Sequence, residues 1–191
     1  MLDWITNFTY KIEEQASDAG FVFRLASGYY RDVVEREVVL AGITAADNVL
    51  CIGGGICPFS AILLHRRAGA RVTVVDNNCA CIPKARATIE KLGLSEYLTV
   101  IHQDGTSPDI PFEEFSVIHL ALQVSPMEQV FARAVEQAKV GTRLLIRRPK
   151  KHLANMYCPS FNKMLDGQPY TTHNSGNIGC TLLYTKQGDF S

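Results

Sequence analysis

An apolar run, Val49-Leu50-Cys51-Ile52, passes without a spacer into Gly53-Gly54-Gly55, and Pro58 follows ahead of a helical stretch. A buried strand that turns through glycines into a helix narrows the choice of fold sharply. Such glycines let the backbone turn tightly and let a ligand approach closer than any Cβ would allow. Pro58 suits the first helical position, where its missing N–H costs nothing. The alternation then continues. Strands are expected over 72–75, 98–101, 115–120 and 143–146, separated by helices over about 58–67, 81–92 and 126–139. Gly69 and Gly93 act as helix stops. Strands alternating with helices pair in parallel through right-handed crossovers, which predicts an α/β fold built on a doubly wound, mostly parallel sheet. The tail over 149–179 reads as irregular, and 180–184 as a final strand.

Ahead of this domain, taken as residues 46–191, residues 1–45 read as a short helical N-terminal cap. Leu2, Ile5, Phe8 and Ile12 recur at helical spacing, Ser17-Asp18-Ala19-Gly20 reads as a break, a short helix over 21–27 ends at Gly28, and a further helix over 29–41 stops at Gly42. The apolar face of the cap predicts a lid or a homodimer contact. Nineteen basic residues balance nineteen acidic ones, which argues against a general nucleic-acid binder. No apolar run approaches the roughly 20 residues needed to span a bilayer. The start of the chain lacks the pattern of a signal peptide, and the six cysteines contain no CxxC. Reduced thiols in a cytoplasmic protein are expected.

Twenty-one residues after Gly55, Asp76 ends the second strand, where a carboxylate can accept both ribose hydroxyls of an adenosine. The third strand runs out into Gln103-Asp104-Gly105-Thr106, which places a second acid near the adenine edge. All three stations lie at the carboxyl edge of one sheet, where open α/β sheets bind ligands. A dinucleotide fingerprint asks for a third glycine where this chain has Pro58. Asp104 has no standard role in that fingerprint, while an acid after the third strand is usual where S-adenosylmethionine binds. S-adenosylmethionine is the expected cofactor.

The order of strand, glycine loop, Asp76 and Asp104 resembles the class I S-adenosylmethionine-dependent methyltransferases. More narrowly, Gly53-Gly-Gly-Ile-Cys-Pro-Phe-Ser60 is similar to the glycine loop of the nicotianamine synthase family, G-x-G-x-x-P-x-[ST]. His119-Leu-Ala-Leu, Leu144-Leu-Ile-Arg147 with the segment from Leu153 to Pro159, and Tyr29-Tyr30 ahead of Glu35 and Glu37 resemble further parts of that family. The likeness covers about 29–186. It implies a Rossmann-like class I methyltransferase fold with Gly53, Gly54, Gly55, Ile56, Asp76, Asn77, Asp104, Gly105, Thr106 and Leu120 around the cofactor. It also implies Tyr30 and Arg147 at the reacting end, with Tyr30 the candidate catalytic residue. The family carries a large helical N-terminal domain with a catalytic glutamate. Here only about 45 residues precede the first strand, and Glu13 and Glu14 are the nearest candidates.

The sulfonium of S-adenosylmethionine activates its methyl group and the γ-carbon of its aminobutyrate arm. Attack on the first gives methyl transfer and S-adenosylhomocysteine. Attack on the second transfers a 3-amino-3-carboxypropyl group and leaves methylthioadenosine. Which carbon is presented at a near-attack distance of ~3–3.5 Å decides the outcome. Methyl transfer is the commoner chemistry on this fold; aminocarboxypropyl transfer follows from the narrower resemblance. The expected function is therefore an S-adenosylmethionine-dependent transferase, a methyltransferase first, with a 3-amino-3-carboxypropyl transferase related to nicotianamine synthase and a non-catalytic binder of the same molecule as the alternatives.

A small-molecule acceptor fits best, because the fourth strand lacks the N-P-P-Y signature of base methylation. Gln123, just past that strand, is a candidate for acceptor binding. Arg147 could pair bidentately with a substrate carboxylate. Cys57, Cys79 and Cys81 follow the first two strands, but their spacing matches no zinc ribbon, so packing is expected and no metal site. His119 and His173 read as ordinary hydrogen-bonded histidines.

Overall fold

Val49, Leu50, Cys51 and Ile52 are all buried, so the strand they form has no solvent face. Only a central strand of a sheet covered on both sides accommodates such a run. The computed structural model describes residues 19–150, 165–174 and 176–188. Its elements in chain order are α1 (Ala19–Ala41), β1 (Asn48–Ile52), α2 (Phe59–Ala68), β2 (Arg71–Asp76), α3 (Cys81–Lys91), β3 (Leu98–His102), a 3-10 turn (Phe112–Glu114), β4 (Val117–Leu120), α4 (Met127–Gln137), β5 (Arg143–Pro149), β6 (Tyr170–Thr172) and β7 (Ile178–Thr185). They build a seven-stranded sheet in the order β3-β2-β1-β4-β5-β7-β6. The pairs among β1 to β5 are parallel, while β7 runs antiparallel to both β5 and β6.

Alternation along the strands sorts the core into two layers. Val49, Cys51, Val72, Val74, Val117 and Leu145 face a layer shared with Val34 and Ala41 of α1, Ala61, Ile62 and Leu64 of α2, and Ile82, Ala85 and Ile89 of α3. Leu50, Ile52, Ile118, Leu120, Leu144 and Ile146 face the opposite layer, with Val130, Phe131 and Ala134 of α4 and with Phe112. The chain leaves β1 toward β3 on one side and returns to β4 on the other. The order therefore reverses between β1 and β4, which opens a crevice at their carboxyl ends.

The α/β, doubly wound reading holds, with local differences. Gly28 does not end a helix; α1 runs through it as one 23-residue helix. Its missing Cβ costs only about 1 kcal/mol in a helix interior, less than the packing of α1 on the sheet returns. The fourth strand starts at Val117, because Phe115 closes the 3-10 turn. The fifth continues to Pro149, because β7 pairs with it along that length. Within the stretch read as irregular, β6 adds an edge strand. The expected helix around Leu2 to Ile12 and the segment from Leu153 to Pro159 lie outside the described residues.

Candidate cofactor-binding site

Gly53 and Gly55 both adopt left-handed backbone, with φ of 86° and 63°. A side chain there would be strained, so the turn out of β1 needs glycine at both points. Gly54 is glycine for a different reason: a Cβ would lie 2.2 Å from Cγ1 of Val74 on β2. The Gly53 amide donates to the Val75 carbonyl at 2.8 Å, which carries the β1–β2 ladder one step past the strand. The Gly55 amide donates to Oδ2 of Asp76 at 2.6 Å, and the Asn78 amide donates to Oδ1 at 2.9 Å. The half-buried Asp76 carboxylate thus ties the glycine loop to the end of β2. Each oxygen of a carboxylate has a second lone pair, so two hydroxyl donors still fit on it.

At the end of β3, Oδ1 of Asp104 accepts from the Thr106 hydroxyl at 2.6 Å and the Thr106 amide at 2.8 Å. Those two donors hold the exposed Asp104 carboxyl below its ordinary range. Gly105 is buried, and a Cβ on it would meet Ile52 Cγ2 at 2.9 Å, so the loop after β3 packs closely on the end of β1. Ile56 is half-buried and Asn77 exposed, its carbonyl accepting from His102 Nε2 at 3.1 Å. Leu120 is fully buried in the α4 layer, so its side chain serves the core. Gln123 lies exposed in the turn after β4. Cys79 is exposed, Cys57 half-buried and Cys81 buried at the start of α3. Among the described residues, no group of three or more His, Cys, Asp or Glu side chains converges to hold a metal ion.

Tyr30 packs where α1 meets the start of α2, the turn after β4 and the start of β7. Its ring stacks on Phe59, the first residue of α2, at 6.0 Å and 11°, and it packs with Val33, Leu122 and Ile178. The Arg147 guanidinium lies 5.5 Å from the ring centroid. Arg147 itself is buried. Its Nε and Nη2 donate to Oε1 and Oε2 of Glu37 at 2.7 and 2.8 Å, and its Nη1 donates to Ser60 Oγ at 2.8 Å. The edge that would grip a substrate carboxylate is therefore taken by Glu37.

The sequence reading gave Glu37 and Ser60 no such role. The signal was present, though weak: an acid on the apolar stripe of a helix, between Val34 and Ala41, and a base in an apolar strand each require a buried partner. Burial alone would raise the Glu37 carboxyl, but Arg147, with His119 beside it, holds it well below the usual carboxylate range.

An ionised Glu37 only accepts, so Thr181 Oγ1 donates to Oε1 at 2.7 Å. His173 Nε2, 2.8 Å from that hydroxyl, must then donate to it, which leaves Nδ1 unprotonated. His119 Nε2 lies 3.4 Å from Glu37 Oε2. Burial, with Arg147 nearby, lowers both histidines, so both are neutral at neutral pH. Burial pushes the neighbouring Cys51 thiol up to about 12, which makes it inert as a nucleophile.

No family model matches the chain. Over 130 residues it is 25% identical to the L-histidine 2-aminobutanoyltransferase of Yersinia pestis, a match that takes in 68% of this chain and 48% of that protein. It superposes on a mutant of MtNAS in complex with S-adenosylmethionine with a TM-score of 0.71 and 27% identity, covering 84% of this chain and 63% of that one. MtNAS in complex with MTA and tNA gives the same score and identity over 61% of its length. An RNA methyltransferase from Salinibacter ruber, in complex with S-adenosyl-L-homocysteine, matches at TM-score 0.65 and 19% identity, over 84% of this chain and 94% of that one. The chain spans about half of the Yersinia protein and about three-fifths of MtNAS. It has the Rossmann-like fold of class I S-adenosylmethionine-dependent methyltransferases and is similar, in sequence and in structure, to nicotianamine synthase.

Proposed function

We propose that this chain is an S-adenosylmethionine-dependent transferase acting on a small molecule, and that the group transferred is 3-amino-3-carboxypropyl. The observation that carries the reading is the tethered glycine loop, held open by Gly53 and Gly55 and bonded to Asp76. It occurs in a chain that is 25% identical to an aminobutanoyltransferase and 27% identical to MtNAS. Bound S-adenosylmethionine supplies a sulfonium that makes its γ-carbon electrophilic toward an acceptor amine, with methylthioadenosine as the leaving group.

The protein's part is placement. Gly53, Gly54, Gly55 and Ile56 cradle the donor, Asp76 and Asn77 receive the ribose, and Asp104, Gly105 and Thr106 border the adenine. Tyr30 closes the reacting end, Gln123 meets the acceptor, and Arg147 acts from behind Tyr30. Residues 1–45 form the cap of the reaction chamber, and 46–191 the domain that binds the donor. The protein works in the cytoplasm on a metabolite rather than on nucleic acid, with a homodimer formed through the cap. Among the described residues, no helix is long and apolar enough to cross a membrane.

The deciding measurement is mass spectrometry of the nucleoside products after incubation with S-adenosylmethionine and an amino-acid panel that includes L-histidine, against a no-enzyme control. Enzyme-dependent methylthioadenosine is the expected result. Enzyme-dependent S-adenosylhomocysteine would establish methyl transfer instead. Binding of S-adenosylhomocysteine by calorimetry with no turnover would make the chain a non-catalytic binder.

A further inference from the structure

Two motif residues that stand far apart in sequence meet inside the protein. Ser60 closes the glycine-loop motif and Arg147 ends the apolar run of β5; Nη1 of the arginine donates to Oγ of the serine at 2.8 Å. The next residue back, Phe59, stacks on Tyr30. Adjacent positions in the first turn of α2 therefore touch Tyr30 and the arginine that lies against Tyr30. On its other side the arginine is gripped at two points by Glu37, seven residues along α1 from Tyr30. Thr181 of β7 fixes the same carboxylate. Three of its donor groups are engaged, and its Cζ lies 5.5 Å from the Tyr30 ring centroid, which restricts how the guanidinium can turn.

We propose that Ser60, Arg147 and Glu37 form an internal strut that positions Tyr30 against the glycine loop, with Ser60 and Glu37 as positioning residues acting through the guanidinium. The proposal rests on the reading of Tyr30 as the residue at the reacting end. It explains why a loop built to hold a nucleoside is followed by a hydroxyl residue bonded to a buried arginine: the hydroxyl ties the α2 turn to β5 and, through Glu37, to α1. A shift of the loop on donor binding then reaches Tyr30 through Phe59 and Arg147 together.

The test has two arms on the full chain. In the first, the protein is labelled with 3-fluorotyrosine and the Tyr30 resonance is assigned by Tyr30→Phe. Ser60→Ala should shift or broaden that line, Glu37→Gln should do so more strongly, and Ser60→Thr should restore it. Asp47→Asn breaks the Asp47–Arg143 ion pair at the opposite edge of the sheet and should leave the line in place.

In the second arm, Ser60→Ala should lower kcat about tenfold, leave the Kd for S-adenosylhomocysteine within about threefold, and recover with Ser60→Thr. A Tyr30 line unmoved in Ser60→Ala, or moved equally by Asp47→Asn, overturns the strut. So does a moved line with kcat unchanged. Should the wild-type protein produce no enzyme-dependent nucleoside, the functional reading fails. The fluorine arm then decides the strut by itself.

Discussion

At the scale of single residues, the glycine loop carries the sharpest constraint. A methyl group on Gly54 would lie 2.2 Å from a methyl of Val74, which is fully buried in β2 and has nowhere to retreat. Gly54→Ala should therefore cost about 1–3 kcal/mol of stability, the usual toll of overpacking, and should weaken S-adenosylhomocysteine binding. Urea denaturation and calorimetry measure the two effects, and adding Val74→Ala should recover part of both. This glycine, with Gly53, Gly55, Asp76 and Asp104, was legible in the sequence because backbone freedom and strand-end acids leave direct marks on composition. Glu37 was not, because its role comes from a contact with a residue 110 positions away. Arg147 was legible as a position and misleading as chemistry: its charge suggested a substrate anion, and the structure gives that charge to Glu37. Leu120 stood at the right strand end, but its inward register took its side chain into the core.

At the scale of elements, α1 is where sequence and structure part most clearly. A glycine beside aromatic residues read as a stop, yet the helix passes through Gly28. Local propensity is worth about 1 kcal/mol per residue, and packing from Tyr30 to Ala41, about three turns, outweighs it. The same position yields a stabilising change. Gly28 is exposed, lies within the helix, and a Cβ on it would meet no atom within 4 Å. Gly28→Ala should add about 0.5–1 kcal/mol and raise Tm by about 1–4 °C, measurable by scanning calorimetry. The strands were easier to find than their ends. Continuous apolar runs mark parallel strands buried on both faces, while the extension of β5 and the presence of β6 both depend on pairing with β7, which lies far downstream.

At the scale of the whole molecule, the buried network makes stability depend on pH. His119 lies beside Glu37 and Arg147, with Cys51 its register partner on β1, and its proton affinity is lowered from the ordinary 6.5, as is that of His173. The unfolded chain binds more protons at these sites, so their contribution is present above about pH 6.5 and is lost as pH falls below it. Glu37 and Asp47, lowered from 4.5 and 3.8, extend the loss to more acid pH. Thermal melts should show Tm falling between about pH 7.5 and 5.5, with a shallower fall in His119→Gln.

The network also bears on mechanics. Arg143, at the start of β5, donates to the Ala41 and Gly42 carbonyls at the end of α1, while Arg147, four residues along the same strand, grips Glu37. Those fastenings stand about 13 Å apart along the strand. A rod bolted at one point can pivot; bolted at two it becomes a cantilever. Beyond Tyr30, α1 runs on for eleven residues to Ala19, about 16 Å of helix. The direction in which α1 leaves the sheet, and with it the place of Ala19 relative to the crevice, is set by two arginines on a single strand.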